Sequence, residues 1–251
     1  MVPSVLEVET AALTAWPGLA TAFDGRWVWR AARGYSNRAN SIQCLDPTDG
    51  GNAVERIGRF TELFVRHGVH PAFKMSPLVA PAIVGALDQL GWVPYEPSNV
   101  MRMEMGKRQW TPRHHTSLFD ANDWQWRLAQ AEMSGYSAET IETVRLIIER
   151  IACDRRGILA YDRDGRPVAA ALACVANGIA IFGNVVCRSS HRGQGFGRAA
   201  MEAALGWSQD AGARAAAIQV AAGNAAAIGL YASLGFGEPY DYAYRAPGRP
   251  A

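Results

Sequence analysis

Apolar positions along this chain alternate between helical spacing and the short runs expected of strands. Residues 1–20 hold a short apolar segment that stops at Trp16-Pro17-Gly18, and Arg26 to Arg30 alternates as a strand would. A second strand is predicted at 41–45, followed by a loop at Asp46-Pro47-Thr48-Asp49-Gly50-Gly51. Ala53, Ile57, Phe60 and Phe64 then share one face, predicting a helix over 52–67 that ends near Gly68. Asn52 with Glu55 three residues on reads as its capping box. A strand at 72–75, a helix at 78–90 and a strand at 99–105 complete a first half of order β-β-α-β-α-β.

Gly106 to His115 is polar, aperiodic and contains Pro112, which marks a boundary between two domains, 1–110 and 116–251. Helices follow at 123–133 and from Ser137, whose hydroxyl caps a stripe of Ile141, Val144, Ile148 and Ile151. Strands at 158–161 and 168–175 flank the turn Asp162-Arg163-Asp164-Gly165. A third, at 179–187, is reached through Asn177-Gly178, a type I′ signal. A helix to about 211, a strand at 215–220, a helix at 225–234 and a strand at 240–245 end the chain. The second half therefore reads α-α-β-β-β-α-β-α-β, and the two halves share a loose β-α-β-α-β ending.

The strand at 179–187 runs into a helix through Arg192-Gly193-Gln194-Gly195-Phe196-Gly197. Alternate glycines uncover backbone N–H groups, and a helix N-terminus behind them adds unpaired donors and partial positive charge. Such a turn suits a phosphate-like anion. A P-loop string is not present. Gly195, Gly197 and Ala200 match GxGxxG/A formally. The strand after the helix, however, ends Ile218-Gln219-Val220-Ala221-Ala222, without the carboxylate that a dinucleotide ribose needs.

Composition narrows the choice. The 251 residues carry a net charge of +2 and no Lys/Arg-rich run, which argues against nucleic acid or a membrane surface as partner. Four cysteines without CxxC spacing read as reduced thiols, and no metal site is expected. The acidic N-terminus lacks a leader pattern, and no apolar run reaches about 18 residues, so a soluble cytoplasmic protein is expected.

The RxxGxG turn after a strand, then Val220, Asn224, Leu230-Tyr231 and Gly235-Phe236, resembles the GNAT family of acetyl-CoA-dependent N-acetyltransferases over about 115–251. Ser189 departs from the pattern, since many members have Pro there. The resemblance implies an α/β (α+β) acyl-CoA N-acyltransferase fold, with a mixed, mostly antiparallel central sheet flanked by helices. It implies acetyl-CoA as co-substrate, with the pyrophosphate on Arg192, Gly193, Gln194, Gly195, Phe196, Gly197 and Arg198. The thioester would lie beside Val185, Val186 and Cys187, and Asn224 would bind the pantetheine amides. An amine would attack directly through a tetrahedral intermediate, and Tyr231 would protonate the departing thiolate. Helical spacing puts Asn224 and Tyr231 on one side, about 10 Å apart; alone, the first also reads as an N-cap and the second as a core aromatic.

A lysine-like amine is deprotonated only about 1 part in 10³ at pH 7. The strand position that often carries a base in the family holds Asn184, which leaves Glu132, Glu139, Asp241 or water. Cys187 reads as a strand residue rather than a nucleophile. The first half matches a truncated GNAT order without the cofactor motif, so two GNAT-like halves in tandem, the first degenerate, are expected. Its stretch Trp27 to Ile42 is a candidate for shaping the acceptor pocket, or an edge with Trp27 or Trp29 in the core. Trp124 and Trp126 are candidates for the acceptor cleft or for core packing. A small-molecule amine is the expected acceptor, with a protein or peptide amine as alternative, in a monomer or homodimer. A non-catalytic CoA-binding sensor or docking module, or transfer of a longer acyl group, remains open.

Overall fold

The computed structural model describes residues 1–248. They form two compact units, neither continuous in sequence. The first comprises Met1–Ala15, Met101–Gln219 and Ala226–Glu238; the second comprises Trp16–Val100, Val220–Ala225 and the stretch from Pro239.

The first unit is built on a mixed, mostly antiparallel sheet. Its strands β6 (Thr116–Phe119), β7 (Asp154–Tyr161), β8 (Pro167–Ala176), β9 (Ile179–Cys187) and β10 (Ala215–Ala221) lie in the order β10-β9-β8-β7-β6. Only β9 and β10 among these run parallel. Helices α1 (Val5–Ala15), α4 (Trp124–Ser134) and α6 (Phe196–Asp210) pack on β7 to β9. Helix α5 (Ala138–Glu149) is capped by Ser137, whose hydroxyl accepts the Thr140 N–H at 3.2 Å. Strand β8 is nearly all small, with Ala169, Ala170, Ala171 and Ala173 fully buried, so helices can approach both of its faces closely. Trp126 is also fully buried, lies against Gly157 and donates to the Ile158 carbonyl at 3.2 Å. It is a core residue, whereas Trp124 is 64% exposed.

In the second unit the strands are β1 (Ala20–Asp24), β2 (Trp27–Ala31), β3 (Ile42–Cys44), β4 (Phe73–Met75), β5 (Trp92–Glu104, to Val100 in this unit) and β11 (Gly237–Pro247). Their order is β1-β2-β3-β4-β11-β5. The parallel pair β3/β4 is joined through α2 (Ala53–Arg66), which packs against α3 (Pro81–Gln89). Trp27 and Trp29 are core: Trp27 meets Phe73 edge-on at 5.3 Å, and Trp29 meets Phe64 at 5.2 Å. The whole of β2 is buried, while Arg33 and Gly34 further along the stretch are exposed.

Several expected boundaries move for local reasons. The N-terminal apolar segment is helix α1, and the capping box sits there: Ser4 N–H donates to Glu7 Oε2 at 2.8 Å, while Glu7 N–H donates to Ser4 Oγ at 3.3 Å. Asn52 does precede α2, but in the left-handed region (φ 53°) and with no side-chain cap. Helix α3 begins at Pro81, whose missing N–H costs nothing at a first helical position. Strand β5 starts at Trp92, seven residues before the expected Asn99, because Pro94 and Pro97 mask it in the pattern. Strands β1 and β6 are short and lie beyond the expected set.

Candidate functional site

The pairing of β9 with β10 ends at Phe182↔Ile218, although β9 continues to Cys187. At that point β9 also breaks register with β8. Leu172 faces Gly183 and Ala170 faces Val186, which leaves Asn184 and Val185 without partners in register. Asn184 takes φ 50°, and its Nδ2 is buried without a hydrogen bond. This is a β-bulge placed where two parallel strands part, a location at which α/β sheets present backbone groups to ligands. Val185 lies on it and Val186 and Cys187 follow it in register with β8, each half-buried. Burial pushes the Cys187 thiol up, and the Arg192 charge opposes this only in part.

Beyond β9 the chain makes a short 3₁₀ turn at Ser189–His191, so the serine that stands where proline is usual still permits a tight entry. Gly193 (φ 76°) and Gly195 (φ 88°) both need the left-handed region. A Cβ at Gly193 would meet nothing within 4 Å, so the backbone there is open. Gly195 is the N-cap of α6, and no side chain caps the helix. The first intrahelical bond closes from Ala199 N–H to the Gly195 carbonyl, so the N–H groups of 196–198 lack intrahelical partners. Arg192, Gly193, Gln194 and Gly195 are all exposed. An open backbone, uncapped donors and one free-standing arginine fit a diphosphate.

The turn is braced from underneath. Phe196 is buried between His114, at 4.0 Å between ring centroids, and His191, at 5.6 Å. His114 Nε2 lies 2.9 Å from the Gln194 carbonyl oxygen. Gln194 Nε2 donates to the Ser190 carbonyl at 3.0 Å, and His191 Nε2 lies 3.6 Å from Asp162 Oδ2. These groups border an open groove of about 940 Å³ that also takes in Arg113, His115, Tyr161 and Arg163. The Arg198 guanidinium is held by Glu202 at 3.3 Å and by Ser233 Oγ, so its backbone N–H is the part facing the turn's chemistry. Sequence reasoning places His114 in a linker. Its contact spans 80 positions and has no local signature.

Asn224 stands one residue before α7 (Ala225–Leu234), with its N–H donated to the Ala221 carbonyl at 2.9 Å. Tyr231 lies inside α7, is 5% exposed, and meets Phe236 edge-on at 6.1 Å. Phe236 in turn packs on Phe182 of β9 at 6.2 Å. The candidate bases have different surroundings. Glu132 pairs with Arg188 at 2.9 Å, Glu139 sits in the first turn of α5, and Asp241 accepts from Asn99. Among the described residues no group of three His, Cys, Asp or Glu could hold a metal, and no helix is long and apolar enough to cross a membrane.

In the second unit the turn before α2 holds the opposite chemistry. Asp49 accepts from the Arg26 N–H at 2.7 Å and from Arg56 at 2.7 and 3.1 Å. A carboxylate therefore lies at this helix start, whereas the turn before α6 exposes N–H groups.

A family model described as "probable histone acetyltransferase Rv0428c C-terminal" matches residues 4–245. The curated protein "uncharacterized N-acetyltransferase YobR" of Bacillus subtilis is 24% identical over 247 residues, covering 96% of this chain and 98% of its own. A GCN5-related N-acetyltransferase from Kribbella flavida superposes with a TM-score of 0.74 at 17% identity, over 97% of this chain and 95% of that one. A tandem GNAT protein from the clavulanic acid biosynthesis pathway superposes with a TM-score of 0.66 at 15% identity, over 99% and 90%. The two structures share the mixed sheet and flanking helices of the acyl-CoA N-acyltransferase fold. The family model spans all but the ends of the sequence, and the chain belongs to the Rv0428c C-terminal family of GNAT-type acetyltransferases.

Proposed function

We propose that this enzyme transfers the acetyl group of acetyl-CoA to a primary amine, by direct attack of the amine on the thioester. The observation that carries the reading is the exposed, uncapped turn Arg192–Gly195 at the head of α6, with both glycines at positive φ. Acetyl-CoA, when bound, supplies an acetyl group activated as a thioester. The N–H groups of 192–198 hold the diphosphate, and Arg192 adds charge. Asn224 offers its amide to the pantetheine arm. The backbone at and just after the bulge, Val185 to Cys187, donates to the thioester oxygen. Tyr231 gives a proton to the sulfur, a transfer uphill by only about 2 kcal/mol, since tyrosine ordinarily titrates near 10 and a thiol near 8.5. The second unit, with Asp49 and Arg56 filling the turn before α2, is a GNAT-like half that does not take CoA.

The test is thiol release from acetyl-CoA with a panel of amines, small and peptidic, alongside calorimetry. Tyr231→Phe should keep affinity for acetyl-CoA and slow transfer about 10²-fold. An unchanged rate would remove Tyr231 from the mechanism. Tight acetyl-CoA binding with no release for any amine would favour a non-catalytic CoA sensor.

A further inference from the structure

Asn184 is the only amide in β9, whose other residues are apolar, Gly183 or Cys187. It shares with Val185 the place opposite Ala171, the single β8 residue between the pairs Leu172↔Gly183 and Ala170↔Val186. Asn184 takes the left-handed region there, at φ 50°. Glycine would do so without strain. Asparagine tolerates it, but brings an amide that needs partners. Its Nδ2 finds none, although it is buried. The neighbouring β8 side chains, Ala169, Ala170, Ala171 and Ala173, cannot accept a hydrogen bond, and the register of β9 with β10 has already ended at Phe182↔Ile218. A buried donor without an acceptor destabilises the fold. Backbone geometry therefore accounts for a residue that permits positive φ at this position, but not for this side chain.

We propose that Asn184 is a catalytic residue whose Nδ2 donates to the thioester oxygen of acetyl-CoA. This rests on the binding mode proposed above, in which that oxygen lies beside Val185 to Cys187. An amide N–H needs an acceptor, and the thioester oxygen is the acceptor whose negative charge grows during the reaction. When the amine nitrogen bonds to the carbonyl carbon, the C=O π pair moves onto oxygen. The Nδ2–H and the backbone N–H groups of 185–187 hold that charge. The extra proton on nitrogen passes to solvent. On collapse the pair returns, the C–S bond breaks, and the sulfur leaves with a proton from Tyr231. The otherwise unpaired donor is satisfied most fully in the tetrahedral intermediate. A contact of that kind raises kcat rather than affinity.

The experiment uses the full chain and Asn184→Gly, which keeps the positive φ and removes only the amide. The variant should melt no lower than the parent, because the strained backbone and the unpaired donor go together. Calorimetry should give a Kd for acetyl-CoA within about threefold of the parent, while kcat falls about 10²-fold. A second readout needs no amine. Carbon-13 in the acetyl carbonyl isolates its infrared stretch in the complex, and loss of a hydrogen bond moves that band to higher wavenumber. The Asn184→Gly complex should show this shift. Asn184→Asp turns an acceptor towards the oxygen and should be slower than Asn184→Gly. Equal kcat in parent and Asn184→Gly, a loss carried wholly by Kd, or coincident carbonyl bands would overturn the role of Asn184. In each of those cases a parent that binds acetyl-CoA and acetylates an amine leaves the proposed function standing, whereas a parent that binds no acetyl-CoA removes both.

Discussion

His114 lies over Phe196 with ring centroids 4.0 Å apart and reaches the Gln194 carbonyl with Nε2 at 2.9 Å. One side chain thus holds both the apolar underside and the polar backbone of the glycine turn. The turn needs such a brace, because Gly193 and Gly195 are intrinsically mobile and ordering each backbone residue costs about 1–2 kcal/mol. His114→Ala removes the stack and the hydrogen bond, together about 1–2 kcal/mol. Affinity for acetyl-CoA should fall about 5- to 30-fold, with Tm lowered by a few degrees. Isothermal calorimetry beside a melting curve checks this, and unaltered affinity would show that the turn is rigid without the histidine.

How much of this was legible in sequence follows from the range of each interaction. The passage from β9 through the glycines into α6 is periodic and local, so 179–211 reads correctly. The residues proposed for the pantetheine arm and the acid, Asn224 and Tyr231, come from a motif string, and α7 lies where helical spacing predicts it. The bulge at Asn184 is different. It exists because β9 changes register against β8 between Gly183 and Val186, and although Asn tolerates a positive φ, nothing local shows that Asn184 uses it. His114 is silent for the same reason. The capping rule finds Asn52 and Glu55, where the backbone turns left-handed. It applies equally to Ser4 and Glu7, where a short segment hides the helix that follows.

Gly157 is a second glycine set by what approaches it. A Cβ there would sit 2.3 to 2.6 Å from three atoms of the Trp126 indole, which is fully buried and anchored on the Ile158 carbonyl. The ring has no room to retreat, so Gly157→Ala forces β7 and α4 apart. The cost should be about 2–3 kcal/mol, at the upper end of overpacking penalties. Urea denaturation should show a lower midpoint. A variant as stable as the parent would mean that α4 can slide on the sheet.

Asp49 governs the acid stability of the second unit. Its hydrogen bonds from Arg56, opposed in part by burial, hold its carboxyl below the usual carboxylate range. A carboxylate depressed in the folded state contributes stability that is fully present above its unfolded value of about 3.9 and is lost as pH falls through the folded value. The window is therefore below about pH 4. Arg56 is nearly buried over the Trp27 ring, 4.1 Å from its centroid, so removing the carboxylate leaves Asp24 as its carboxylate partner among the described residues. Asp49→Asn should lower stability by about 2 kcal/mol at pH 7 and flatten its decline between pH 4 and 2. Chemical denaturation across that pH range reads both effects, and parallel curves for parent and variant would refute the assignment.

Cys187 tests whether the acetyl group passes directly between substrates. It ends β9 beside the bulge, and under the proposed binding mode a nucleophile there could intercept the thioester. Burial, however, raises its thiol, and its S–H is turned to the Arg188 carbonyl at 3.6 Å. No histidine contacts it among the described residues, so nothing activates the thiolate. Cys187→Ser should retain transfer within about threefold, because serine is smaller and still donates to that carbonyl. Rapid mixing with acetyl-CoA in the absence of an amine should give no burst of free thiol and no chain heavier by one acetyl group. A burst that disappears in Cys187→Ser would establish a covalent acetyl-enzyme and would shift Tyr231 from resolving the amine's attack to resolving the thiol's.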